Sequence, residues 1–224
     1  MNVLEIAGVI DHTILKPDAQ WFEVKEVCDQ AEAYGFASAC VNSGWVPHCV
    51  ARLQELRSSI PVASVIGFPL GAMPTEVKVF EATWALNCGA RELDTVINVG
   101  KLMEGSVDYV RDEILEIVKL AHARGAIVKV ILCTDFLTLD LIRLACTICL
   151  EVGADFVKTC TGFGPGGATE EVVRLMKEVV GDKAGVKASG KIKTLPDFIK
   201  MKAAGATRIG TSSGIIIVKA ALAA

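Results

Sequence analysis

Lys129, Lys158 and Lys187 each stand inside a short apolar run, "IVKVIL", "DFVKTC" and "GVKASG", and each is separated from the next by 29 residues. A buried ammonium is costly, so a lysine in such a run needs a reason. One reason is chemistry. At its ordinary pKa of about 10.4 the amine is protonated and inert at neutral pH. Apolar surroundings and a second nearby ammonium both disfavour the charged form, and a neutral lysine can attack a carbonyl to form a Schiff base. Equal steps close to one strand–helix unit place the three lysines at similar depths on neighbouring strands, with strand parity deciding which point inward. A strand lysine more commonly marks an exposed end or snorkels to water. Lys158 and Lys187, each followed by a Gly/Ser/Thr loop, favour function instead.

Asp94, in "ELDTVIN", shares strand parity with Glu92 and Val96 and precedes a turn. A carboxylate beside a lysine pair can move protons while a carbinolamine forms and dehydrates; the plainer alternative is a structural ion pair inside the fold. Three late loops, "TGFGPGG" (161–167), "ASGK" (188–191) and "GTSSG" (210–214), are rich in small residues. Glycine lets backbone N–H groups approach an anion, and serine adds donors. Each loop alone is a common turn; together, after the lysine strands, they suggest a phosphorylated substrate.

The elements that must carry these residues alternate. Eight β-branched runs, "VIDHT", "ASACVN", "VASVIGF", "ARELDTVI", "IVKVILC", "DFVKTC", "GVKASG" and "RIGTS", are separated by amphipathic stretches, at roughly 28 residues per unit. "TEEVVRLMKEVVG" has Thr169 as N-cap, acidic residues in its first turn, Val172, Met176, Val179 and Val180 on one face, and Gly181 as its stop. "DYVRDEILEIVKLAHARG" repeats the scheme through Val110, Ile114, Ile117, Val118 and Ala121. Such alternation implies a parallel sheet with right-handed crossovers. An open doubly wound sheet would carry a glycine fingerprint in its first turn, which "DHTILKP" lacks. The count of eight favours a single (β/α)8 barrel over residues 1–224, with a short N-terminal extension.

Composition narrows the function classes. The chain is 52% apolar and 22% charged over 224 residues, which excludes disorder and suits strands buried on both faces. A net charge of −3 leaves no basic footprint for nucleic acid. No apolar run reaches the ~18 residues of a membrane span, and the N-terminus lacks the basic start of a signal peptide, so a cytoplasmic location is expected. The eight cysteines are scattered; Cys146 and Cys149, the one CxxC, fall with Ile142 and Ala145 on a single helix face and are expected in the core. His12, His48 and His122 lie far apart, and no metal site or cofactor is expected.

Taken together, "IDHTILKP", "ACVN", "IGFPLG", "ELDTVINVG", "FVKTCTGFGPGGAT", "VKASG" and "IGTSSG" resemble the deoxyribose-phosphate aldolase family, in order, from about Ile10 to Val218. The resemblance implies a (β/α)8 barrel and metal-free class I aldolase chemistry, the reversible cleavage of 2-deoxy-D-ribose 5-phosphate to D-glyceraldehyde 3-phosphate and acetaldehyde. It implies Lys158 as the Schiff-base lysine, Lys187 as the group that depresses its pKa, and Asp94 as the proton relay. It further implies Asp11, Thr13, Cys40 and Thr161 in the substrate pocket, and Gly162, Gly190, Ser212 and Ser213 around the phosphate. A pocket-facing Cys40 would be a target for reactive aldehydes. Small sugar phosphates and aldehydes are the expected partners, with association into a homo-oligomer. Alternatives are another Schiff-base aldolase or transaldolase, and a phosphate-binding barrel without catalysis.

The chain departs from the family at three places. It reads "SGKIKT" where many members read "SGGIRT", so Lys191 either adds a cation for phosphate or crowds the backbone approach that glycine allows. Lys193 in place of arginine loses bidentate geometry. Cys133 stands where glutamate is frequent, and the expected effect is on support around the fourth helical layer rather than on the chemistry.

Overall fold

The apolar runs become strands: β1 (Ile10–Ile14), β2 (Ser38–Asn42), β3 (Val62–Ile66), β4 (Glu92–Val96), β5 (Ile127–Ile131), β6 (Phe156–Lys158), β7 (Gly185–Ser189) and β8 (Arg208–Thr211). Nearly every residue in them is buried, because one face meets the barrel interior and the other the helices. A computed structural model, which describes residues 2–223, closes them in chain order into a parallel barrel, with β1 paired to β8. The expected (β/α)8 architecture is present.

Helices α1 (Val3–Ala7), α2 (Trp21–Tyr34), α3 (Val46–Glu55), α4 (Thr75–Asn87), α5 (Val99–Met103), α6 (Val107–His122), α7 (Leu139–Glu151), α8 (Glu170–Val180), α9 (Leu195–Ala203) and α10 (Gly214–Leu222) surround it. The short α1 is the N-terminal extension and buries Ile6 and Ala7. Helix α7 opens on Thr138, whose hydroxyl accepts from the Leu141 N–H, and buries Ile142, Ala145, Cys146 and Cys149 as expected. Helix α6 buries its predicted stripe and one more residue, Glu113. Among the described residues no helix is long and apolar enough to cross a membrane.

Helix α8 starts at the predicted cap, with Thr169 Oγ1 accepting from the Val172 N–H. Its core face is rotated from expectation. Val173, Leu175, Met176 and Val180 are buried, whereas Val172 and Val179 are half-buried flanks. Adjacent valines at 172 and 173 leave the helical phase ambiguous in sequence; packing against α7 and β7 resolves it.

Glu113 is buried because it meets a buried lysine. Lys78 Nζ, on α4, lies 2.7 Å from Glu113 Oε2 and donates to the Val96 carbonyl at 2.8 Å, while Glu113 Oε1 accepts the Asn98 N–H at 3.0 Å. Burial lowers the Lys78 pKa and raises that of Glu113. The pair grips the turn that leaves β4, two residues beyond Asp94.

Replacing Val173 by Ala should cost about 2 kcal/mol, and replacing Val172 by Ala less than ~1 kcal/mol. Chemical denaturation of the two variants measures the difference; equal losses would mean that α8 packs in the phase read from the sequence.

Candidate active site

Strand parity brings seven charged side chains into the barrel: Asp11 from β1, Glu92 and Asp94 from β4, Lys129 from β5, Lys158 from β6, Lys187 from β7 and Arg208 from β8. At their centre is Asp94. Its Oδ1 accepts Lys129 Nζ at 2.7 Å, and its Oδ2 accepts both Lys158 Nζ at 2.7 Å and Lys187 Nζ at 2.6 Å. Asp11 takes a second bond from Lys187, and its other oxygen accepts Arg208 Nη1 and Ser38 Oγ, each at 2.7 Å. Lys129 also reaches Glu92 at 2.5 Å. The stem of Lys187 passes so close to β8 that a Cβ on Gly210 would sit 2.9 Å from its Cε, which is why a side chain is missing there.

Four cations face three carboxylates, so one cation is in excess, and the surroundings select which lysine gives up its proton. Lys129 contacts Asp94, Glu92 and Asp11; Lys187 contacts Asp94 and Asp11; Lys158 contacts Asp94 alone. For Lys187 burial works against the charge, but Asp11 and Asp94 outweigh it and the pKa is raised. Lys129 is raised further by its three carboxylates. For Lys158 burial and the Lys187 ammonium outweigh Asp94, and the pKa is lowered. Asp94 itself is penalised by burial, yet the three ammonium groups hold its carboxyl well below the usual carboxylate range. Lys158 is therefore the lysine that surrenders a proton first.

Above this floor, on the side where β6, β7 and β8 end, opens a cavity of about 720 Å³ lined by Thr13, Lys158, Thr161, Gly162, Gly190 and Ser212, among others. Lys158 is 3% exposed and reaches it from below. The loops after β6 and β7 are knitted together: Thr159 Oγ1 donates to the Ser189 carbonyl at 2.8 Å, and Ser189 Oγ donates to the Cys160 carbonyl at 2.6 Å. Gly190 has φ +95°, and a Cβ on it would meet Gly167 Cα at 3.1 Å.

The other expected site residues fall in two groups. Asp11, Asp94, Lys187 and Cys40 are fully buried beneath the cavity rather than on its lining. Cys40 packs with Ala63, Val65, Leu15 and Phe68, and burial raises its thiol pKa, so it is a poor target for dissolved aldehydes. Ser213 directly precedes α10, one residue beyond the lining, its N–H donating to Thr211 Oγ1. Cys133 is at the mouth of the barrel, in a small cluster against which Val99 of α5 and Phe68 pack. Two residues beyond β5 it takes a left-handed conformation (φ +55°), packs on Val96 and Ile131, and burial pushes its thiol up to about 12.

Register corrects one expectation. Lys158 pairs with Lys187, but Lys129 pairs with Phe156, and Ile131 is the residue opposite Lys158. The β5–β6 unit is two residues shorter than the β6–β7 unit, so equal chain spacing does not give equal depth. A shift of two keeps parity, and Lys129 still points inward. Its role in holding Asp94, like those of Glu92 and Arg208, was not read from the sequence; the signal available was a charged residue at inward parity on each strand.

The description "DeoC/LacD family aldolase" matches residues 6–222. The chain is 55% identical over 218 residues to the deoxyribose-phosphate aldolase of Thermococcus gammatolerans, covering 97% of each chain. It is 55% identical over 221 residues to that of Thermococcus kodakarensis, covering 99% of each. Among solved structures, a tetrameric deoxyribose phosphate aldolase from Aeropyrum pernix superposes with a TM-score of 0.91 at 35% identity, over 98% of this chain and 92% of that one.

Replacing Lys187 by Met removes a repelling ammonium from Lys158. The ascending limb of the pH profile for imine formation, followed by borohydride trapping, should then move up by roughly one pH unit. An unmoved limb would mean that burial alone sets the Lys158 pKa.

Proposed function

We propose what this protein does from the premise that the chain belongs to the DeoC/LacD family of aldolases, as the match over residues 6–222 shows. It is an aldolase, a carbon–carbon lyase, working as one catalytic barrel. Its reaction is the reversible cleavage of 2-deoxy-D-ribose 5-phosphate to D-glyceraldehyde 3-phosphate and acetaldehyde through a Schiff base on Lys158. The observation that carries this reading is the asymmetry of the lysines: only Lys158 meets both the cavity and a single carboxylate, and its pKa is lowered.

The open-chain sugar enters with its aldehyde toward Lys158 and its phosphate toward Gly162, Gly190 and Ser212, with Ser213 just behind. Neutral Lys158 Nζ adds to C1. Proton transfers between nitrogen and oxygen, relayed by Asp94 and its partner Lys187, give a carbinolamine that loses water to form the iminium. The C3 hydroxyl then gives up its proton, the C2–C3 bond breaks, and its electron pair flows through C2 and C1 onto the iminium nitrogen. D-glyceraldehyde 3-phosphate leaves and an enamine remains. Protonation at C2 and addition of water to C1 release acetaldehyde and return the free amine. After each relay Lys187 returns to its cationic resting form, which keeps Lys158 poised and gives Asp94 a partner.

The setting is a cytoplasmic enzyme acting on small molecules as a homo-oligomer. Support for association comes from one face of the barrel. All three tryptophans are incompletely buried there: Trp21 and Trp45 stack at 6.2 Å, and Trp84 follows on α4 beside Phe80, which is 74% exposed. Ser43, two residues before Trp45, donates to Glu81 of α4 at 2.7 Å, linking the segment that carries Trp45 to the helix that carries Phe80 and Trp84.

Acetaldehyde with borohydride should add two carbons to the peptide bearing Lys158 and leave the Lys158→Met variant unlabelled; label spread over surface lysines would remove the basis for this mechanism. Light scattering should give a mass that is a multiple of 23.8 kDa, reduced by Phe80→Glu; a monomeric wild type would contradict the assembly.

A further inference from the structure

Lys191 lies at the mouth of the cavity, in the loop after β7, and no step of the reaction uses it. Its backbone is left-handed, φ +62°, a conformation that glycine adopts freely and other residues resist. From there the side chain crosses to the loop after β6, where Nζ donates to the Pro165 carbonyl at 2.8 Å. The two loops are already joined without it. The Ala168 N–H donates to the Gly190 carbonyl at 3.2 Å, and a Cβ on Gly167 would meet that same oxygen at 2.8 Å. The lysine is thus more than is needed to close the loops, and it occupies a conformation where glycine would be easier.

The charge inventory of the cavity gives Lys191 a task. An ammonium has three donors, and Pro165 takes one. Lys16, which lines the same cavity, is paired with Glu23 at 2.5 Å, and Lys158 with Asp94. Lys191 and Lys193 line it too, and among the described residues neither has a carboxylate within 4.0 Å. An anion arriving between Gly162, Gly190 and Ser212 therefore meets an ammonium with donors to spare. Because the tether already restricts the side chain, little conformational freedom remains to be lost on contact.

We propose that Lys191 is a specificity-determining residue, a tethered ammonium at the cavity rim that selects the phosphorylated sugar over its unphosphorylated counterpart. The proposal rests on the reading of the cavity as a sugar-phosphate site. Its consequence is a coupling between phosphate and nucleophile. The loop that Lys191 holds, residues 161–167, begins three residues after Lys158, so a dianion gripping both loops also fixes the segment that follows the reacting lysine.

The test compares wild type with Lys191→Gly, which removes the charge and relaxes the backbone, and with Lys191→Arg, which keeps the charge. For each, kcat/KM is measured on 2-deoxyribose 5-phosphate and on 2-deoxyribose, at low and high salt. The ratio of the two should fall about tenfold in Lys191→Gly, the loss of one charge-assisted hydrogen bond, and largely recover in Lys191→Arg. Its salt dependence should flatten in Lys191→Gly, since screening acts on exposed charge. A ratio within twofold of wild type, with both substrates losing rate together, would make Lys191 a loop strut and overturn the proposal. If wild type cleaves neither sugar, the aldolase reading fails by itself. Calorimetric titration of inorganic phosphate then decides: weaker binding to Lys191→Gly supports the anion role, and equal binding overturns it.

Discussion

Asp94 offers two carboxylate oxygens to three lysines, and the rest of the site depends on how they are shared. One oxygen belongs to Lys129; the other is divided between Lys158 and Lys187 at nearly equal distances. Removing this anion would leave Lys158 buried with no carboxylate and take one partner each from Lys129 and Lys187, a large cost for a barrel core. With it in place the cluster still carries one more cation than anion. Proton loss from one lysine is then favourable, and the lysine with the fewest carboxylate contacts is also the one that reaches the cavity.

The fold is what lets so few charges interact so closely. They come from six different strands, and only closure of the sheet brings β1 and β8 together so that Asp11 can bond both Lys187 and Arg208. Below Lys158, Arg208, Glu92 and Lys129 balance one another in a water-poor interior; above it, glycine loops leave room for a ligand. This polarity along the barrel axis turns a lysine's burial into reactivity, because desolvation acts from below while a carbonyl can approach from above. The Lys78–Glu113 pair does comparable work outside the barrel wall, holding the turn that ends β4.

Much of this was legible in the residues. Eight apolar runs and the helices between them marked the barrel, and Thr169 and the face of α7 lay where cap chemistry and helical period put them. Lys158, Lys187 and Asp94 stood out because charged residues in buried runs are expensive. Other features were not legible. The depth of Lys129 depended on a two-residue difference between units, and chain spacing does not report register. The faces of Val172 and Val173 depended on which valine met the strands. Cys40 and Asp11 are inward by parity, but whether an inward residue lines a cavity or lies beneath it depends on the side chains stacked above.

What the sequence by itself determined is therefore local and periodic: where strands and helices occur, which positions face inward, and which side chains have the chemistry of a Schiff base. Those follow from propensities and periods that each segment carries alone. What only the tertiary structure decided is the assignment of partners. Lys129, Lys158 and Lys187 are the same residue type in similar runs, and nothing local separates a nucleophile from a counter-ion. Their difference is the number of carboxylates each meets once the barrel closes, and electrostatic energy depends on distances between strands that the linear chain does not contain.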